Sequence, residues 1–268
     1  MEPHFLARPE MQMPHTAEIV ITILYAVFVL LSVGYAITVA RKDGVSYPLW
    51  IMFGGLCASL YEPLDAVLGH FIYPMTNMQF EVFELYGVKM PLFLVLTYVF
   101  YVGPLMVFVF SGLERGTLTT GTWWKTYAVC IGLATLHEPF CIHFGLWYYW
   151  GDNQPLKLFG KLPMWWTYVN PAAIMCMAVV CHRIWRDVLE RRHSYLLPLM
   201  VTLSLFAIHG AMAAPIFAAL ATFTSKTATI IATFMSMGLA FMGMWFSSKV
   251  IKKEAAVVPT RAYQAALA

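Results

Sequence analysis

The amino-acid sequence predicts an all-α, multi-pass integral membrane protein with seven transmembrane helices. Of its 268 residues, 60% are hydrophobic and 12% are charged, whereas a soluble globular domain carries roughly 25% charged residues. Seven apolar runs reach the length of about 20 residues that a helix needs to cross a bilayer. A net charge of +3, scattered along the chain, gives no indication of nucleic-acid binding.

The seven runs form one predicted transmembrane domain, residues 1–250, followed by a cytoplasmic tail, residues 251–268. Counting the loops alternately assigns twelve Lys and Arg to the side of the carboxyl terminus and five to the other side. Because cytoplasmic loops carry the excess of basic residues, we expect the amino terminus to face out and the carboxyl terminus to face in. The predicted spans are 18–40, 47–72, 91–113, 124–150, 164–185, 195–221 and 227–249.

Basic and aromatic residues mark the ends of these runs. The first run ends at the basic pair Arg41-Lys42, and the second begins at Tyr47-Pro48. Tryptophans cluster where the runs meet the two predicted membrane surfaces, as aromatic belts do. They are Trp123, Trp124 and Trp185 at the inner surface, and Trp147, Trp150, Trp165 and Trp166 at the outer surface.

Two segments of the chain resemble each other at an offset of 76 residues. Residues 58–63, ASLYEP, align with residues 134–139, ATLHEP. Residues 87–91 and 160–163 are similar as well, each running from a glycine to a proline. The sequence therefore predicts a tandem repeat of two-helix hairpins, in which the second and third helices are copied as the fourth and fifth. Further aligned pairs are Gly69 with Gly145 and Tyr73 with Tyr149.

Each copy of the repeat places one glutamate, Glu62 or Glu138, deep inside a predicted span. At 3.6 residues per turn, each shares a helix face with the glycine and tyrosine that follow it. We expect the second and fourth helices to lie side by side, with both glutamates facing one cavity. Intramembrane acids are costly and indicate function, although hydrogen bonding between packed helices is a structural alternative. Lys and Arg lie only at the ends of the spans or outside them, and a carboxyl group buried without a counter-charge favours its neutral form.

Further site residues follow from their predicted depth and chemistry. Asp65 lies one turn beyond Glu62, and His209 lies near the middle of the sixth span, either as a site residue or as a hydrogen-bonded core residue. The predicted catalytic residues are therefore Glu62, Glu138, Asp65 and His209. The predicted substrate-binding residues are Tyr61, Tyr73, Phe140, Trp147, Tyr149, Trp166, Tyr168 and Asn170. His137 points about 100° away from its neighbour Glu138 and is predicted to be structural.

The loop at residues 75–89, MTNMQFEVFELYGVK, alternates apolar and acidic residues. We interpret it as an interfacial helix, with a lid over the site as the alternative.

Several chemistries are excluded because their residues are missing. Residues 232–246 of the last span, ATFMSMGLAFMGMWF, have no lysine for a retinal Schiff base, and His137-Glu138 is followed by Cys141 where a zinc-protease helix needs a second histidine. No aspartate-rich pair is present to hold magnesium and a diphosphate. We therefore expect no metal and no cofactor. Two activities remain: acid chemistry on a hydrophobic isoprenoid or another lipid-like substrate within the membrane lipid, or ligand binding and transport.

The basic turn before Tyr47-Pro48-Leu49 and a second span carrying Glu62 make the chain similar to a known family. It resembles the integral-membrane terpene cyclases of meroterpenoid and indole-diterpene pathways, which are small seven-helix proteins. The resemblance implies a cofactor-free isomerase or lyase of terpenoid biosynthesis, whose membrane-embedded carboxyl groups protonate an epoxide or alkene. That family also has an essential aspartate in a late helix, where this chain has no acid, so Glu138 or His209 would replace it. Carotenoid cyclases and hydratases show a fainter resemblance.

Two other classes stay open at this point. A proton-coupled transporter of a small molecule or lipid also uses repeated helices, kinks and acids near the midplane. A receptor, or a subunit of a larger assembly such as a homo-oligomer, fits the same composition. One closed pocket around both glutamates favours an enzyme, whereas a polar path that reaches both faces favours a transporter.

Overall fold

The structure, a computed structural model, describes residues 9–151, 153–222 and 225–265, with side chains up to residue 252. Within these residues the fold is all-α, apart from three short antiparallel strand pairs in the loops. The same part of the chain has six helices that are long and apolar enough to cross a membrane, so the protein is a multi-pass membrane protein. The predicted tail continues the last helix to Ala265, and residues 1–8 and 266–268 lie outside the described residues.

The long helices follow the predicted apolar runs in order. In the described residues they are α1 (His15–Asp43), α2 (Tyr47–Gly69), α3 (Leu92–Glu114), α4 (Thr120–His143), α5 (Met164–Val188), α6 (Ser194–Thr222) and α7 (Lys226–Ala265). Helix α4 has 24 residues but is not among the six long, apolar helices. Trp123, Trp124 and Lys125 at its start, and His137-Glu138 near its end, make it more polar.

Two predicted spans, 47–72 and 124–150, extend too far. Helix α2 ends at Gly69 because His70 adopts a left-handed conformation, with φ of 53°. Helix α4 ends at His143, and Gly145 likewise has a positive φ of 77°. Tyr73 and Tyr149 therefore lie beyond the helices, so the prediction that each shares a helix face with its glutamate is wrong.

The segments beyond these two helix ends form strands. Strand β1 (Phe71–Ile72) pairs with β4 (Tyr148–Tyr149), which joins the loop after α2 to the loop after α4. Strands β2 (Glu81–Leu85) and β3 (Val88–Pro91) form one hairpin, and β5 (Lys157–Leu158) and β6 (Leu162–Pro163) form a second. We call this end of the molecule the hairpin face.

The predicted interfacial helix at residues 75–89 is wrong, because this segment contains the β2–β3 hairpin. Val82 and Phe83 at the centre of β2 are of the β-branched and aromatic types that favour strands. Tyr86-Gly87 makes the tight turn, with φ of 53° and 67°. Positive φ at both central residues suits a two-residue hairpin turn, and glycine adopts it without steric cost.

The opposite end, which we call the basic face, consists of the loops at residues 44–46, 115–119 and 189–193. Ion pairs hold these loops together: Arg115 to Asp43 at 2.7 Å, and Arg191 to Glu114 at 2.6 Å. His182 Nε2 also lies 2.9 Å from Glu114. The α1–α2, α3–α4 and α5–α6 connections therefore lie on one side of the helix bundle.

Helix packing leaves α1 and α4 at the edge of the bundle. Helix α5 is the most buried, since it packs on α3, α4, α6 and α7. Helix α2 packs on α1, α3 and α6, and it approaches α3 closely at Gly55. A Cβ atom at Gly55 would lie 2.9 Å from the carbonyl oxygen of Tyr98. This close approach sets Tyr98 beside α2.

Glu18, near the start of α1, anchors the loop that follows Tyr73. It is fully buried and accepts hydrogen bonds of 3.0 Å from the backbone N–H groups of Gln79 and Phe80. The amino-terminal segment adds a backbone bridge between Gln12 and Thr76. These bonds hold the loop that follows Tyr73 in place at the hairpin face.

Candidate functional site

A cavity of about 320 Å³ lies inside the helix bundle next to the hairpin face. It brings together the four predicted catalytic residues, Glu62, Glu138, Asp65 and His209. Six of the predicted binding residues also line it: Tyr61, Tyr73, Trp147, Tyr149, Trp166 and Asn170. None of the described residues that line the cavity is a Lys or Arg, so no permanent positive charge neutralises the acids.

Irregular helix turns present the polar residues on two sides of the cavity. Helix α2 tightens into a 3₁₀ turn at Ser59–Tyr61, next to Glu62-Pro63, and α3 widens into a π turn at Tyr98–Val102 before Pro104. A proline inside a helix removes one backbone hydrogen bond and clashes with the carbonyl four residues earlier. These prolines therefore account for the irregular turns that carry Tyr61, Glu62 and Tyr98.

Glu62 is buried and is held by two phenol groups. The Tyr73 hydroxyl donates a hydrogen bond to Oε1, and the Tyr98 hydroxyl donates one to Oε2. Tyr73 comes from the loop after α2, whereas Tyr98 comes from the π turn of α3. Both oxygens of this carboxyl group are thus occupied by uncharged partners.

Glu138 is held mainly by indole groups. Trp166 Nε1 donates to Oε1 at 2.9 Å, and Trp147 Nε1 donates to Oε2 at 2.9 Å. The Tyr149 hydroxyl lies 3.3 Å from Oε2. Each glutamate therefore binds the tyrosine eleven residues later, even though both tyrosines lie outside the helices.

The pairing of β1 with β4 closes the cavity toward the hairpin face. Phe71 pairs with Tyr149, and the Phe71 ring lies 5.1 Å from the Trp166 ring, measured between centroids. The Gln154 side chain donates to the Gly69 carbonyl at 2.8 Å, which ties the end of α2 to the same loop. Aromatic side chains thus cover the acids on this side.

Asp65, His209 and Tyr61 form a third polar group on the cavity wall. The Tyr61 hydroxyl lies 3.1 Å from His209 Nδ1, which lies 3.7 Å from Asp65 Oδ1. Among the described residues, Asp65 Oδ1, His209 Nε2 and the Tyr101 hydroxyl have no hydrogen-bond partner. Because buried polar atoms are nearly always hydrogen-bonded, three unpartnered atoms among the residues that line the cavity are unusual.

Two predicted binding residues, Phe140 and Tyr168, lie outside the cavity. Phe140 is 55% exposed on the outer surface of α4, and the backbone carbonyl of Tyr168 accepts a bond from Tyr127. Each follows a cavity residue, Glu138 or Trp166, by two positions, which is about 200° around a helix. The helical period therefore explains why neither residue lines the cavity.

His137 and Tyr98 were not predicted as site residues, yet both line the cavity. His137 was predicted to be structural, and its Nε2 atom hydrogen-bonds the Tyr25 hydroxyl of α1, which links α4 to α1. The similarity of Thr97-Tyr98-Val99 to residues 167–169 is the sequence signal that marks Tyr98.

The two glutamates reach the cavity from different walls. Helix α2 packs on α1, α3 and α6, whereas α4 packs on α5 and α7. The prediction that α2 and α4 lie side by side is therefore wrong, although both carboxyl groups line one cavity as expected.

Between α1 and α4 the cavity has apolar side chains that also face outward. Phe28 of α1 and Leu133 of α4 line the cavity while remaining 38% and 60% exposed. The bond between Tyr25 and His137 crosses the same gap about one helix turn closer to the hairpin face. Phe28 and Leu133 therefore separate the cavity from the outside of the bundle at the depth of the apolar helix surfaces.

Comparisons of the chain with protein-family models, with curated proteins and with solved structures give no match. Within the described residues, no group of three or more His, Cys, Asp and Glu side chains is placed to hold a metal ion. The chemistry of the cavity is therefore the basis for assigning a function.

Proposed function

We propose that this protein is a membrane-embedded terpene cyclase, which starts the cyclisation of a hydrophobic isoprenoid or its epoxide by protonating it. One observation carries the proposal: Glu62 lies in a largely aromatic cavity, and its described hydrogen-bond partners are the phenols of Tyr73 and Tyr98. A carboxyl group without a cationic partner favours its neutral form in such a site. A neutral carboxyl group is a proton donor.

The walls of the cavity suit the carbocation that protonation would create. Aromatic faces attract cations by about 0.5–2 kcal/mol each. The aromatic lining residues include Tyr61, Phe71, Tyr73, Trp147, Tyr149 and Trp166. Because these rings surround the acids, they would stabilise positive charge and exclude water that would otherwise trap it.

The polar group of Asp65, His209 and Tyr61 supports a ligand with one polar end. Its unpartnered atoms would bind a hydroxyl, phenol or epoxide oxygen while the hydrocarbon chain fills the aromatic part. The volume of about 320 Å³ lies within the range of ligand pockets, about 300–1,000 Å³.

The position of the cavity favours an enzyme over a proton-coupled transporter. The β1–β4 pair covers it toward the hairpin face. Its described lining residues do not include the ion-paired groups of the basic face, such as Glu114 and His182. A transporter needs access from both faces, and this cavity supports access from neither.

We extend the proposal to the fold, with α4 as a seventh transmembrane helix. Val129, Leu133, Leu136 and Phe140 are all more than half exposed, and they recur at the spacing of one helix face. An apolar stripe of this kind suits contact with lipid. With seven spans, the basic face would lie in the cytoplasm and the amino terminus outside.

The structure also supports the proposed tandem repeat. After α2 and after α4, the chain forms a single strand, then a hairpin, then the next helix. Ile72 pairs with Tyr148, the residue 76 positions later. Both hairpins turn at an aromatic-glycine pair with positive φ, Tyr86-Gly87 and Phe159-Gly160.

The proposed topology predicts which cysteine variants an impermeant maleimide labels on intact cells. Tyr86→Cys at the hairpin tip reacts, whereas Tyr195→Cys at the basic face reacts only after permeabilisation. Both side chains are more than half exposed, and a Cys57→Ala background removes the least buried native thiol. The reverse labelling pattern would invert the topology.

We also predict that the substrate passes from the bilayer into the cavity between Phe28 and Leu133. The measurement is the rate at which a diazirine-bearing prenyl phenol photolabels the protein in lipid nanodiscs. Leu133→Trp narrows the opening and slows labelling, whereas Leu133→Ala accelerates it. Leu136→Trp is the matched control, because Leu136 is 72% exposed on the same helix but does not line the cavity. Equal rates for the two tryptophan variants would exclude this route.

Replacing the proposed donor tests the reaction itself. Glu62→Gln keeps the size of the side chain but removes its acidic proton, so turnover falls by at least ~10²-fold, the scale of general acid catalysis. Glu62→Asp keeps the acid, displaced by one methylene, and retains part of the activity. Mass spectrometry of membranes incubated with prenylated phenols, indoles and their epoxides measures the turnover.

The exposed residue Glu84 provides the control. Glu84→Gln is the same substitution at a position on the hairpin outside the cavity, and we expect it to leave turnover unchanged. Undiminished turnover in a folded Glu62→Gln variant would eliminate Glu62 as the donor.

A further inference from the structure

The two glutamates of the cavity have chemically different hydrogen-bond partners. Glu138 receives N–H groups from Trp147 and Trp166, one on each carboxyl oxygen. An indole N–H only donates a hydrogen bond, so it fixes the oxygen that it contacts as an acceptor. The phenol of Tyr149 adds a third donor at 3.3 Å. A carboxylate, which only accepts, satisfies all three donors.

Glu62 has no such restriction. Its two partners, Tyr73 and Tyr98, are phenols, and a phenol donates or accepts according to the state of its neighbour. A protonated Glu62 donates its own O–H to one phenol and accepts from the other. The partners of Glu62 are therefore compatible with a protonated carboxyl group, whereas the partners of Glu138 favour a carboxylate.

Electrostatics disfavours ionisation of both groups together. Glu62, Glu138 and Asp65 line one cavity, and no Lys or Arg is among its described lining residues. Like charges in one site disfavour ionisation of both, so one carboxylate helps to keep its neighbour neutral. Hydrogen bonds to an ionised group are about twice as strong as neutral ones, so the three donors at Glu138, against two at Glu62, favour placing the negative charge at Glu138.

We infer that Glu138 is a resting carboxylate that accepts the proton at the end of the cyclisation, whereas Glu62 is the neutral acid that starts it. This inference rests on the proposed function. The π electrons of one alkene take the proton of Glu62 and form a C–H bond, which leaves a carbocation. The π electrons of a second double bond in the same substrate attack this cation and form the new carbon–carbon bond, which moves the positive charge to the second site. The carbocation then loses a proton from an adjacent carbon to Glu138, and the C–H electron pair becomes a double bond. The product is an isomer of the substrate, and proton transfer from Glu138 to Glu62 restores the enzyme.

Infrared difference spectra of the full-length protein in lipid nanodiscs, at neutral pH and without substrate, test this assignment. Subtracting the Glu138→Gln spectrum from that of the wild type should leave the antisymmetric stretch of a carboxylate. The same subtraction with Glu62→Gln should leave the C=O stretch of a protonated carboxyl group. A protonated C=O stretch lost in Glu138→Gln would overturn the inference.

A pair of neighbouring tryptophans tests it without altering either acid. Trp166→Phe removes one donor from Glu138 and should shift its carboxylate stretch. Trp165→Phe is the matched control, because Trp165 is fully buried and its Nε1 has no hydrogen-bond partner among the described residues. Identical carboxylate stretches in the two variants would contradict the role of the indole donors.

Turnover separates failure of this inference from failure of the proposed function. If Glu62→Gln abolishes cyclisation but the infrared assignments are reversed, only the division of roles is wrong. If Glu62→Gln cyclises at the wild-type rate, the proposed function is wrong whatever the spectra show. In the expected case, Glu138→Gln still consumes substrate but yields alcohols or displaced alkenes in place of the native product.

Discussion

The structure depends on the burial of two acidic side chains, Glu62 and Glu138, in a cavity whose described lining residues include no Lys or Arg. Moving a charge into an apolar environment is expensive unless hydrogen bonds stabilise it. This chain supplies those bonds from aromatic side chains: phenols of Tyr73 and Tyr98 for Glu62, and indoles of Trp147 and Trp166 for Glu138. Such partners add no charge and also form the apolar walls. Stabilisation of the acids and exclusion of water therefore come from the same residues.

Much of the architecture serves to bring these donors to the acids. The pairing of β1 with β4 brings Tyr73, Trp147 and Tyr149 to the side of the cavity next to the hairpin face. There they donate hydrogen bonds to the two glutamates. The close approach of α2 to α3 at Gly55 brings in Tyr98. If the two halves arose by duplication, one acid-aromatic unit was built twice, and the two acids then acquired different hydrogen-bond donors. That difference in donors is what would let one acid give a proton and the other take it.

Hydropathy in the sequence predicts the helices well, because crossing a bilayer requires a long apolar run whatever the tertiary packing. The ends of α2 and α4 were missed, since single residues in left-handed conformations, such as His70, terminate them. The two glutamates were predicted from the repeat, and half of the aromatic residues that line the cavity were predicted from their depth and chemistry. Tyr98 and the partner of His137 were not predicted, because each depends on a contact between helices distant in sequence: Tyr98 with Glu62, and His137 with Tyr25. The periodicity of apolar residues along one helix does not show which residue of another helix contacts it.

The central claim is that a carboxyl proton of the protein is transferred to the substrate, to a carbon when the substrate is an alkene and to the oxygen when it is an epoxide. The most direct measurement is a single turnover in D₂O, with the protein equilibrated first and present in excess over a prenylated phenol or indole. Mass spectrometry and NMR then locate the deuterium in the product. The account predicts a cyclic isomer of the substrate that carries one deuterium bound to carbon. A product without carbon-bound deuterium, or one whose composition differs from an isomer of the substrate, would contradict it.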